Sequence, residues 1–234
     1  MPKEERFGAK REPKSLRAEV LADAEAAARR GAELIAAAAS ESVDARGGFS
    51  LAVSGGHGPW RMFELLEAHD LDWERIEMFQ VDERVAPDGD DDRNLTHLLT
   101  SLPGPARERV RAMPVTDADL DAAATRYGES LPERIDLVHL GLGPDGHTAS
   151  LVPGDPVLEV DDRPVALTGV YQDRRRMTLT YPALAAAREI VWLVTGADKP
   201  DALAKLRAGD PSIPAGRVPD ENAVLVCDRA ATGD

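Results

Sequence analysis

Apolar residues fall into two kinds of pattern along this chain. Over 15–39, Leu16, Val20, Ala24, Ala27, Leu34 and Ile35 recur at intervals of three, four or seven, while Arg and Glu fill the other face. That spacing predicts one amphipathic helix. Elsewhere the apolar residues gather in short runs, at 49–53, 76–81, 110–113, 135–140, 165–170, 190–194 and 224–227. Short runs bounded by Gly, Pro or Asp predict buried strands, the last closing the sheet. Between them, helical spacing is read after Pro59 (Trp60, Phe63, Leu65, Leu66) and over 95–99, 121–131, 182–188 and 202–208. Strands alternating with helices predict an α/β fold with a mostly parallel sheet flanked by helices. Residues 1–14 are a polar, charged tail, and 15–234 read as one α/β domain with no repeat and no linker.

Four turns lie at the carboxyl ends of predicted strands, where open α/β sheets bind ligands. Ser54-Gly55-Gly56-His57-Gly58-Pro59 is a strand-to-helix turn whose bare N–H groups and helix dipole suit a phosphate. A plain tight turn is the alternative, with His57 a loop residue. Asp82-Glu83-Arg84 reads as a structural ion pair or as part of a site. Gly141-Leu142-Gly143-Pro144-Asp145-Gly146-His147 brings a carboxylate and an imidazole into one glycine-rich loop. Thr195 to Pro200 is one more strand-to-helix turn and holds Lys199. The third turn also fits the dinucleotide fingerprint G-x-G-x-x-G, with Asp161 and Asp162 near the spacing of a ribose-binding acid. Against that reading, Asp145 would face a pyrophosphate of like charge.

Composition narrows the partners. The formal net charge of −14 argues against nucleic acid and anionic membrane surfaces. An anionic small molecule then needs local cations; Arg174-Arg175-Arg176 reads either as a solvated turn or as a run of which one member meets an anion through its planar fork. Aromatics make up only 4% of the residues, so the core must be built from Ala, Val, Leu and Ile. The single Cys227 excludes an intramolecular disulfide and a cysteine-cluster metal site. Residues 88–92 are acidic but lack the spacing and closing Glu of a calcium loop. No apolar leader or membrane-length run is visible, so the chain is expected to be cytoplasmic.

Three motifs carry a resemblance to the 6-phosphogluconolactonases: Val-Ser-Gly-Gly-His-Gly-Pro at 53–59, Val-Asp-Glu-Arg-Val-Ala-Pro at 81–87 with Asn94 downstream, and Gly-Leu-Gly-Pro-Asp-Gly-His-Thr-Ala-Ser-Leu-Val-Pro-Gly at 141–154. Arg176-Met-Thr-Leu-Thr and Thr195-Gly-Ala-Asp-Lys199 add to it, and the similarity runs from about residue 15 to the C-terminus. The related glucosamine-6-phosphate deaminases share the Asp-Gly-His core, but theirs continues Ile-Ala-Phe-Asn-Glu where this chain has Thr-Ala-Ser-Leu. Three positions depart from the lactonase pattern. Gly58 stands where the family has Thr, which removes one hydroxyl donor; Arg93 replaces Ser, and Val152 replaces Phe.

The resemblance implies a three-layer, Rossmann-like fold of the sugar-phosphate isomerase/deaminase type. It also implies hydrolysis of 6-phospho-D-glucono-1,5-lactone without cofactor or metal. A lactone carbonyl needs an activated water, and an imidazole exchanges protons near neutral pH. His147 is then the expected base, with Asp145 orienting it and Asp82 orienting the water or holding sugar hydroxyls. Backbone N–H groups of the glycine loop are expected to face the oxyanion. The substrate and its phosphate fall to Ser54, Gly55, Gly56, Arg84, Asn94, Gly143, Gly146, Thr148, Arg176 and Lys199. The expected partner is the small sugar-phosphate lactone, bound by a monomer or weak homodimer. Two other readings stay open: an aldose–ketose isomerase/deaminase on an amino-sugar phosphate, and a catalytically silent sugar-phosphate sensor.

Overall fold

The computed structural model describes residues 16–233; the predicted tail lies outside them. In chain order the strands are β1 (Arg17–Leu21), β2 (Phe49–Val53), β3 (Ile76–Gln80), β4 (Asp82–Arg84), β5 (Val110–Arg111), β6 (Leu137–Leu140), β7 (Val165–Leu167), β8 (Arg176–Leu179), β9 (Glu189–Val194) and β10 (Ala223–Asp228). The α-helices are α1 (Ala24–Arg46), α2 (His57–Leu65), α3 (Asn94–Ser101), α4 (Gly104–Arg107), α5 (Leu120–Ser130), α6 (Tyr181–Ala186), α7 (Pro200–Arg207) and α8 (Arg229–Thr232).

Seven strands form one parallel sheet in the order β1-β10-β9-β6-β2-β3-β5. From β2 the chain works outward to β3 and β5, while β6, β9 and β10 build the other half. The order therefore switches between β2 and β6, and their carboxyl ends open a crevice there. β10 does not close the sheet as expected; β1 covers its outer edge.

The long helix predicted over 15–39 divides in two. Arg17–Leu21 pairs in parallel with β10, from Arg17 beside Val224 to Leu21 beside Asp228. Asp23 separates strand from helix: its backbone is extended (φ −156°) and its side chain accepts the Ala26 N–H at 2.8 Å. Such an N-cap satisfies a helix donor that has no intrahelical partner. Leu16 and Val20 matched a helical period by chance, and Val20 lies 47% exposed on the edge strand. At its other end α1 runs on to Arg46 and stops at Gly47, whose φ of 82° suits glycine.

The sequence pattern also concealed a second sheet. β4, β8 and β7 form an antiparallel three-stranded sheet in that order. β4 is three polar residues, and it reads in sequence as a turn ending the strand before it.

Both faces of the large sheet are covered. α1, α2 and α3 pack on one face around Ile35, Met62, Phe63, Leu66 and Leu98. On the other face α5, α6, α7, α8 and the small sheet enclose Trp192, Met177 and Leu179. The Ala-rich α1 lets helices approach closely. A Cβ on Gly31 would sit 2.5 Å from Met62 Sδ, inside contact distance. Among the described residues no helix is long and apolar enough to cross a membrane. No cluster of His, Cys, Asp and Glu among them is arranged to hold a metal ion.

Candidate active site

A cavity of about 650 Å³ opens at the switch point, and all four turns reach it. Ser54, Gly55 and Gly56 come from the β2–α2 turn, Asp82 and Arg84 from β4, Gly143 and His147 from the loop after β6, and Thr195 and Lys199 from the turn after β9. Arg176, at the start of β8, forms part of the same wall.

The Asp145–His147 pair is built locally. Asp145 Oδ1 accepts the His147 backbone N–H at 3.1 Å and contacts ring Nδ1 at 2.6 Å. Gly146 between them has φ 85°, and a Cβ there would strike Ile213 Cβ at 2.5 Å, so only glycine fits. Partial burial pushes the Asp145 carboxyl up; the charge of His147 and its backbone and ring N–H bonds outweigh this and hold it below the usual carboxylate range. An ionised carboxylate only accepts hydrogen bonds, so Nδ1 carries the proton and Nε2 is the basic nitrogen. Asp145 supports His147 from behind and does not itself line the cavity.

The loop also uses its own amides. Gly143 N–H donates to His147 O at 2.8 Å, and Gly146 N–H donates to Gly143 O at 3.0 Å. These two groups are therefore unavailable for an oxyanion, contrary to expectation. Gly146 and Thr148 are also displaced from their expected place at the substrate. Neither lines the cavity, and Thr148 is buried with its hydroxyl on Gly141 O at 2.9 Å, where it staples the loop.

Elsewhere the cavity wall is polar and incompletely satisfied. Ser54 Oγ and Arg176 Nε are buried and have no protein partner. Burial lowers the Arg176 guanidinium from its ordinary value, and the nearby Asp82 carboxylate counters this only in part. Buried donors of this kind call for an acceptor from a ligand or water. Lys199, at the N-cap of α7, pairs with Asp198 at 2.7 Å. Arg174 turns away to Asp92 (2.7 Å) and Asp90 (3.4 Å), so Arg176 is the member of the arginine run that reaches the cavity.

Asp82 is 5% exposed, and burial raises its carboxyl above the usual range despite the hydrogen bond from Ser150 and the charge of Arg176. Ser150 Oγ donates to Asp82 Oδ2 at 2.6 Å, a contact that sequence reasoning missed. Ala149 before it lies in the left-handed region (φ 51°), a conformation the sequence does not announce.

Arg84 does not pair with its neighbouring carboxylates. Its Nη1 donates to Asn94 Oδ1 and to Asp92 O, both at 2.9 Å. Asn94 in turn donates to Asp82 O at 3.1 Å and crowds Gly55, where a Cβ would lie 2.2 Å from Asn94 Oδ1. Arg93 is buried, with Nε 3.1 Å from Glu83 Oε2, beneath the start of α3. Gly58 leaves room for a different hydroxyl: a Cβ there would meet Thr195 Oγ1 at 3.1 Å.

The dinucleotide reading fails on context. No helix follows Gly146; the chain goes into an isolated bridge between Thr148 and Leu151. Asp161 and Asp162 line a separate surface hollow.

Residues 22–227 match the family model described as glucosamine-6-phosphate isomerases/6-phosphogluconolactonase. A 6-phosphogluconolactonase of Nostoc is 35% identical over 204 residues, covering 81% of this chain and 84% of that protein. The crystal structure of a 6-phosphogluconolactonase from Shewanella baltica superposes with a TM-score of 0.82 at 27% identity, over 92% of this chain and 98% of that one. A monomeric glucosamine-6-phosphate deaminase superposes with a TM-score of 0.80 at 18% identity, over 93% and 99%, a likeness of fold alone. The chain belongs to the glucosamine-6-phosphate isomerase/6-phosphogluconolactonase family.

Proposed function

We propose that this chain hydrolyses 6-phospho-D-glucono-1,5-lactone to 6-phosphogluconate, with His147 as general base. The observation that carries this reading is one cavity holding both a carboxylate-backed imidazole and the unpartnered donors Ser54 Oγ and Arg176 Nε. The relatives named as lactonases support the substrate.

In this reading the phosphate lies against Ser54, Gly55, Gly56, Arg176 and Lys199, where the start of α2 adds its dipole. His147 Nε2 takes a proton from water as the water oxygen bonds to the lactone carbonyl carbon. The tetrahedral intermediate then expels the ring oxygen, which takes the proton back from the imidazolium. Asp145 keeps the proton on Nδ1 and stabilises the transient positive charge. Asp82, fixed by Ser150, orients the water or a sugar hydroxyl. The hydrolysis itself calls on neither cofactor nor metal.

Feeding the lactone and, separately, glucosamine 6-phosphate tests the reading. Faster 6-phosphogluconate formation than in a protein-free blank, without ammonia from the amino sugar, supports it. Ammonia release without lactone hydrolysis would replace it with the deaminase. Thermal stabilisation by phosphosugars with no turnover would replace it with the sensor.

A further inference from the structure

One side chain outside the assigned site touches three parts of its machinery. Tyr171 and Arg174 exchange backbone hydrogen bonds of 3.0 and 3.3 Å, and between them Gln172 and Asp173 hold φ values of 51° and 62°. Two non-glycine residues in the left-handed region cost on the order of 1 kcal/mol each. Arg174, at the end of the turn, is anchored to Asp92 and Asp90. Strain maintained beside a site is a reason to ask what it positions.

The Tyr171 hydroxyl donates to Asp145 Oδ2 at 3.3 Å. Its ring meets the His147 imidazole edge-on, with centroids 5.7 Å apart and planes at 65°. The Arg176 guanidinium lies over the same ring, 5.1 Å from its centroid. Gln172 Oε1 accepts from Arg176 Nη2 at 3.1 Å. Asp145 Oδ1 is committed to His147, and Oδ2 is held by this turn.

We propose that Tyr171 is a positioning residue that sets both the orientation of the Asp145–His147 pair and the place of Arg176. The proposal rests on the reading of His147 as base. The hydroxyl draws charge from the Asp145 carboxylate and keeps it from rotating off Nδ1; the ring spaces the base from the anion-binding cation. Asp145 bonds His147 from its own loop, and the charged or titratable side chains that share the cavity with it are Arg176 from β8, Asp82 and Arg84 from β4, Asp91 and Asp92 before α3, His97 on α3, and Asp198 and Lys199 from the turn after β9. Tyr171→Phe leaves all of these charges in place.

The test compares Tyr171→Phe and Tyr171→Leu with wild type. The readouts are NMR titration of the His147 ring, assigned among the five histidines by its loss in His147→Ala, and the pH profile of kcat/KM. In Tyr171→Phe the carboxylate loses a donor and interacts more strongly with the imidazolium. The His147 midpoint is expected to rise by about half a pH unit or more, and the acid limb of kcat/KM moves up with it, with KM little changed. Tyr171→Leu should also raise KM several-fold by freeing Arg176. An unmoved His147 midpoint in a folded Tyr171→Phe protein overturns the proposal, as does a change confined to KM. If His147→Ala retains full turnover, the base reading fails on its own, while the NMR titration still judges the positioning of the pair.

Discussion

The imidazole of His147 fills the space that a side chain on Gly143 would need: a Cβ there would lie 2.1 Å from Nδ1 and 2.2 Å from Cε1. The ring is pressed against bare backbone on one side and held by Asp145 at its Nδ1 edge. Gly143→Ala therefore must displace the ring. A misplacement of about 1 Å is expected to lower kcat roughly 10²-fold, with a smaller change in KM. Steady-state kinetics on the folded variant check this, and a kcat near wild type would show that the ring position does not govern turnover.

Arg176 governs a different quantity. It is buried, its Nε lacks a partner, and it shares the cavity with Ser54 and Lys199. Arg176→Ala should mainly raise KM, by about tenfold or more, because it removes binding common to ground and transition states. Arg176→Lys should recover little, since an ammonium lacks the planar fork. An unchanged KM in Arg176→Ala would remove this residue from the phosphate site.

His139, in the middle of the sheet, sets a stability limit on the acid side. It is fully buried, packs edge-on against Phe63 and has no partner for either ring nitrogen. Burial pushes its pKa down to about 3. Below the unfolded imidazole value near 6.5 the unfolded chain binds a proton that the folded chain refuses, so stability falls as pH drops toward about 3. The limiting slope is about 1.4 kcal/mol per pH unit. His139→Leu should flatten the fall in urea midpoint between about pH 7 and pH 5, and the difference between the two curves isolates this residue. Parallel curves would mean that His139 is charged or hydrated in the folded state.

What the sequence made legible follows from the range of the interactions involved. The Asp145–His147 pair spans three residues and is made by one glycine turn, so it could be read directly. The turn at Ser54–Gly56, proposed for the phosphate, is equally local. Contacts between distant segments could not be read. Ser150 meets Asp82 only because β4 leaves the large sheet to pair with β8. Tyr171 reaches Asp145, 26 residues away in the chain, from a turn with no motif of its own. Arg93, a departure from the family pattern, has a structural reason. Glu83 is wholly buried; it forms an ion pair with Arg93 and accepts the backbone N–H groups of Asn94 and Leu95, both at 2.8 Å. A carboxylate at the start of α3 satisfies orphan donors and the helix dipole, and Arg93 balances its charge. The first helix was misread because an edge strand and a helix can share a four-residue apolar spacing over so short a stretch.

The most direct test of the account is the rate of lactone opening with His147→Ala beside wild type. The lactone is generated in situ from glucose 6-phosphate, and the spontaneous rate is subtracted. Wild type is expected to accelerate the opening, and kcat in the variant to fall roughly 10²–10⁴-fold, with KM changed less. Equal acceleration by both proteins would contradict it, leaving a lactonase whose base is not His147.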